Sequence, residues 1–105
     1  MGVIAYNKLV RDRIPEIIEN DGKTCRIEIL TDEEYIKKVD AKLDEELAEY
    51  HRDQNIEELA DLMEVIYAAA IARGYSVEEL EAARQEKVQK RGAFAKKILL
   101  KEVIE

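Results

Sequence analysis

Residues 45–61 read EELAEYHRDQNIEELAD, and the way this stretch folds decides the architecture. Glu45, Glu46 and Glu49 return twelve residues later as Glu57, Glu58 and Asp61, with Leu-Ala inside each copy. On one continuous helix that offset would hold the two acidic groups about 18 Å apart and rotate them by roughly 120°, too far to share a ligand. The intervening HRDQN is polar and rich in residues that leave helices for turns. Two antiparallel helices are therefore expected, with the acidic end of the first beside the acidic start of the second.

The flanking sequence supplies the boundaries. Thr31 with Glu34 spells a capping box, and Ile36, Val39, Leu43, Leu47 and Tyr50 follow as one apolar stripe, so a helix from the cap to about Tyr50 is expected. Asn55 caps a second helix to Arg73, stopped by Gly74, and Ser76 with Glu79 opens a third to about Arg91. Upstream, Pro15 suits a first helical turn and Gly22 a stop, which makes PEIIEND a short helix. KTCRIEIL alternates with strand period, Cys25, Ile27 and Ile29 on one side and Arg26 and Glu28 on the other. A strand needs a partner, and the tail KKILLKEVI is the candidate. The expected fold is mainly α, an antiparallel helical bundle with a short β strand or hairpin, in a single domain over residues 1–105.

Composition agrees with a helical domain. Hydrophobic residues make up 47 % and charged residues 39 %, with one Pro and no Trp, which suits one core. A formal net charge of -7 argues against duplex nucleic acid as a partner, because that affinity rests on Lys and Arg neutralising phosphates. Acids can still hold a nucleotide through a divalent metal. No apolar run reaches about 18 residues and MGVIAYNKLVRDR carries no long apolar leader, so neither a membrane partner nor export is expected. Cys25 stands alone, without zinc-ligand spacing to another Cys or His, which suits a cytoplasmic place and a small packed side chain.

Within each acidic copy, residues three apart lie on neighbouring turns of one face, so Glu46 pairs with Glu49 and Glu58 with Asp61. Glu46 flanks the apolar stripe and is assigned to the site, whereas Glu45 points nearly away from it and is placed on the surface or just behind the ligands. One Glu-x-x-Glu is ordinary solvated helix. Two such pairs around one turn would repel strongly, and hard divalent cations such as Mg²⁺, with Mn²⁺ as a second candidate, are the natural ligands for four carboxylates. The second helix carries Ile56, Leu59, Met63 and Ile66 on one face and Leu62, Val65, Ala69 and Ala72 beyond Glu58 and Asp61 on the other. A helix apolar on both sides needs more cover than so short a chain supplies, so a homodimer or homotetramer is expected, the second copy lying on Leu62, Val65, Ala69 and Ala72. A carboxylate-bridged di-iron bundle wants Glu-x-x-His pairs, and His51 is preceded three residues earlier by Ala48.

Glu46-x-x-Glu49 followed by Glu58-x-x-Asp61 resembles the paired signature of the MazG-like all-α nucleoside triphosphate pyrophosphohydrolases. The flanks YNKLVRDRIPEII and KVQKRGAFAKKILLKEV resemble a compact phosphoribosyl-ATP pyrophosphohydrolase-like subgroup, so the similarity spans nearly the whole chain. The gap of eight residues between Glu49 and Glu58 is tighter than in many members and leaves less room for a loop over the base. The resemblance implies that Glu46, Glu49, Glu58 and Asp61 ligate Mg²⁺ and that Glu46 or Glu49 accepts a proton from water. A nucleoside triphosphate would be split to the monophosphate and pyrophosphate, with Lys8, Arg11, Lys87 and Arg91 on the substrate's phosphates. The alternative is a non-catalytic acidic helical interaction or regulatory module. Nothing in the sequence names the base or sugar.

Overall fold

The computed structural model describes residues 2–105. It contains four helices and, among the described residues, no strand: α1 (Ile14–Asn20), α2 (Asp32–Asp53), α3 (Ile56–Ala72) and α4 (Val77–Arg91). Each start follows local chemistry. Thr31 accepts from the Glu34 amide while the Glu34 carboxylate accepts from the Thr31 amide, and Ser76 and Glu79 repeat the arrangement. Asn55 Oδ1 accepts from the Glu58 amide at 3.0 Å, and Pro15 stands in the first turn of α1. No helix among the described residues is long and apolar enough to cross a membrane.

The turn between α2 and α3 is shorter than HRDQN suggests. His51, Arg52 and Asp53 stay helical, and only Gln54 and Asn55 make the reversal. Gln54 does so in the left-handed region, φ 51°, its amide bonded to the Tyr50 carbonyl at 2.7 Å. That single residue turns the chain back. Arg73 then reaches Asp40 at 2.9 Å near one end of the pair, while Glu46 meets Glu58 and Asp61 toward the other, so α2 and α3 run antiparallel. α4 packs on α3 and not on α2, and α1 packs on no other helix.

Burial is sparse. Val39, on the predicted stripe of α2, is 1 % exposed and is the one buried hydrophobic side chain among the described residues. On α3, Leu62, Val65, Ala69 and Ala72 are half-buried on the side that carries Glu58 and Asp61 toward α2, while Ile56, Leu59, Met63 and Ile66 are exposed. This corrects the sequence expectation: α2 already covers the face thought to need a second copy, and the opposite face is open.

The expected strand and hairpin are also corrected. Residues 23–30 and 96–104 form no ladder, and Ile27, Ile29, Ile98 and Leu100 are exposed. Alternation sorts side chains onto two sides, but a strand persists only when a neighbour takes its amides and carbonyls. Among the described residues neither segment has one.

Candidate metal centre

Five carboxylates from two helices gather beside the Gln54–Asn55 reversal, in two groups. Oxygens of Glu46, Glu58 and Asp61 lie within 4.8 Å of one another, and so do oxygens of Glu45, Glu46 and Glu49. Glu46 belongs to both groups and joins them. It is 6 % exposed, the one buried charged residue among the described residues. The spacing explains the geometry: Glu46 and Glu49 share a face of α2, Glu58 and Asp61 share a face of α3, and the tight reversal sets those faces opposite.

The electrostatics are strained. Burial, and then the neighbouring Glu49 carboxylate, push the Glu46 pKa above its ordinary value, with Lys42 offsetting only part. Burial and the charges of Glu49, Asp53 and Asp61 likewise raise Glu58. Glu46 Oε2 and Glu58 Oε2 are buried with no hydrogen-bond partner. Buried carboxylate oxygens are costly when unmatched, so two such atoms on residues of one acidic cluster mark a place suited to a cation. Hard oxygen donors in this number fit Mg²⁺ or Mn²⁺.

Positive groups stand on the other side. Lys8 Nζ donates to Glu45 at 3.1 Å, and Arg11 Nη2 donates to Asp61 Oδ1 at 2.6 Å. The structure thus brings two of the expected phosphate-binding cations to the acids. Lys87 and Arg91 are not brought there: they are exposed on α4, which does not touch α2, and among the described residues they form no ion pair with the cluster. Of the two places expected for Glu45, the structure takes the one beside the ligands: it groups with Glu46 and Glu49 and pairs with Lys8 and Lys42. Burial alone would raise its pKa, but the hydrogen bond from Lys8 and the charge and hydrogen bond of Lys42 outweigh that and lower it.

Lys42 is the residue sequence reasoning missed. Its Nζ lies 3.4 Å from both Glu45 and Glu46, and its side chain is 19 % exposed. The signal was present, since Lys42 precedes them by three and four residues on one helix. His51 lies in the last turn of α2, exposed, its ring 6.0 Å from that of Tyr50, and takes no part in the cluster.

Comparison with known proteins adds one relative. An uncharacterized protein of Mycolicibacterium smegmatis is 60 % identical over 42 residues, which span 40 % of this chain and 43 % of that protein. No family model matches the chain. No solved structure matches it.

Proposed function

We propose that the chain is a Mg²⁺-dependent nucleoside triphosphate pyrophosphohydrolase of the MazG-like kind, with Mn²⁺ able to replace Mg²⁺. The observation that carries this is the pair of buried, unpartnered oxygens, Glu46 Oε2 and Glu58 Oε2, on two residues that group with Asp61, with Glu49 beside Glu46. The metal, held by these carboxylates, would supply positive charge against the polyphosphate and acidify a nearby water. Glu46 or Glu49 beside it would accept that water's proton. The water oxygen bonds to phosphorus, the bridging P–O bond breaks, and the monophosphate and pyrophosphate leave. Lys8 and Arg11, paired with Glu45 and Asp61 at the edge of the acids, would meet the phosphates, where the guanidinium of Arg11 can grip two oxygens at once. Lys87 and Arg91 would join them only if α4 of a second copy lies nearby. A cytoplasmic place suits this role and the lone Cys25.

Self-association belongs to the same proposal. The accessible surface is 9876 Å², whereas a folded monomer of this mass exposes about 6,000 Å². The radius of gyration is 18.5 Å, against about 13 Å for a compact chain of this length. The excess area is several times the roughly 800 Å² that each partner buries in a standard interface. A second copy is the occupant that fits, because Leu59, Met63 and Ile66 form an apolar stripe that can pack on its own equivalent about a two-fold axis.

The test is a panel of standard and modified nucleoside triphosphates, assayed for pyrophosphate release with Mg²⁺ and with EDTA. Release from at least one, abolished by EDTA, is expected. Calorimetry that finds no Mg²⁺ heat dependent on the four carboxylates, with no release from any nucleotide, would leave a non-catalytic acidic module instead.

A further inference from the structure

We propose that Arg11 is an exchange residue: it neutralises Asp61 while the carboxylate site holds no metal, and it transfers to the substrate's phosphate when the site is loaded. The inference rests on the carboxylates being a metal site. Arg11 and Asp61 are fifty positions apart, and their contact at 2.6 Å ties the N-terminal segment to the helical hairpin. Residues 2–11 form neither helix nor strand, and their other ion pair to the hairpin is Lys8 with Glu45. The segment is held to the site by the charges a metal would take.

The two occupants conflict. Mg²⁺ and Mn²⁺ draw carboxylate oxygens into a short inner sphere, and a divalent charge on Asp61 sets like charge against the guanidinium. One of the two cations facing the inner acids can leave. Lys42 is fixed on α2 and largely buried against Glu45 and Glu46. Arg11 can swing, for both partners of its ion pair are about half exposed, and such pairs bind weakly. Its backbone stays anchored, because the Arg11 carbonyl accepts from the Ile14 amide at the start of α1. A displaced Arg11 therefore remains at the rim with its fork free, which is where a metal-bound polyphosphate would present oxygens.

The consequence is a pair of effects of opposite sign from one substitution. In Arg11→Ala, Mn²⁺ affinity measured by the free-ion electron paramagnetic resonance signal should rise about threefold, the weight of an exposed pair. Binding of inorganic tripolyphosphate to the same variant at saturating Mn²⁺ should fall about tenfold or more, the weight of a charged hydrogen bond. Arg13→Ala, whose partner is Glu16 on α1, should change neither. Unchanged or weaker Mn²⁺ binding by Arg11→Ala, with the parent binding well, overturns the exchange and leaves the metal site standing. No Mn²⁺ binding by the parent overturns the site and the exchange together.

Discussion

The Oε2 atoms of Glu46 on α2 and Glu58 on α3 are both buried and unpartnered, and oxygens of these residues and Asp61 approach within 4.8 Å. Two helices are thus packed against each other through groups that repel. Lys42 and Arg11 relieve part of this, each from one side. Arg73 with Asp40 also joins the end of α3 to α2.

Removing one of those charges should therefore stabilise the empty protein. Glu46→Gln keeps the shape, lowers the repulsion and leaves Lys42 paired with Glu45. In EDTA the Tm is expected to rise, each 1 kcal/mol of relieved repulsion being worth roughly 4 °C. Thermal unfolding followed by circular dichroism reads it. Excess Mg²⁺ should close the gap or reverse it, because only the parent's full carboxylate set gains from the ion. A lower Tm in EDTA would mean that the Lys42 ion pair outweighs the repulsion.

The same residues set a pH dependence. Glu46 and Glu58 have raised pKa values in the folded chain, so above the ordinary 4.5 the native state keeps protons that the unfolded state has lost. Stability contributed by these groups then falls as pH climbs through the raised values. Glu45 acts oppositely: its lowered pKa gives stability above the ordinary value that is lost as pH drops through the lowered one. In a metal-free Tm series from that ordinary value to neutrality, Glu46→Gln should show a flatter decline than the parent. Identical slopes would remove Glu46 as a source.

How much was legible follows from how local each signal is. The capping boxes at Thr31 and Ser76 act over three residues and were read correctly. The meeting of Glu46, Glu58 and Asp61 was legible because spacing within each helix, plus one turn, fixes it. The length of that turn was not, since Gln54 takes a conformation that Gly or Asn usually announces. The strand at Cys25–Ile29 failed because alternation carries no information about a partner. α3 is apolar on both sides, so composition could not choose which side α2 covers. Arg11 on Asp61 lies beyond any spacing rule.

Gln54 offers a test of the reversal. A non-glycine residue at φ 51° carries a steric cost of about 1 kcal/mol, and its exposed side chain makes no hydrogen bond among the described residues. Gln54→Gly should raise Tm by roughly 4 °C with metal binding unchanged. A loss of stability would show that the turn is set by the side chain rather than by the backbone.

Self-association is checked on the face the structure leaves open. Met63 is 51 % exposed at the middle of that stripe. The parent should give a dimer or tetramer mass by light scattering at micromolar concentration. Met63→Glu, placing a charge where an apolar partner would sit, should shift it toward monomer, whereas Glu64→Gln beside it should not. A monomeric parent would show that α3 stays open in solution.

The sharpest comparison is between Asp61 and Glu45, equivalent in being acids at the edge of near-identical EELA copies and unlike in their partners. Asp61 shares a cluster with the two unpartnered oxygens and holds a cation, Arg11, that can move. Glu45 is matched by Lys8 and Lys42, the second of which is fixed on the same helix. Asp61→Asn should thus cost a ligand, while Glu45→Gln removes a charge that lysines already offset. Changes even in groups behind metal ligands cost 10- to 100-fold, so Asp61→Asn should lower Mg²⁺-dependent turnover by roughly 100-fold or more. Glu45→Gln should stay within about threefold, the weight of a weak exposed pair. Circular dichroism should show both variants folded. If Glu45→Gln loses as much as Asp61→Asn, the metal sits in the Glu45–Glu46–Glu49 group on α2, and Glu46 joins it there rather than to α3.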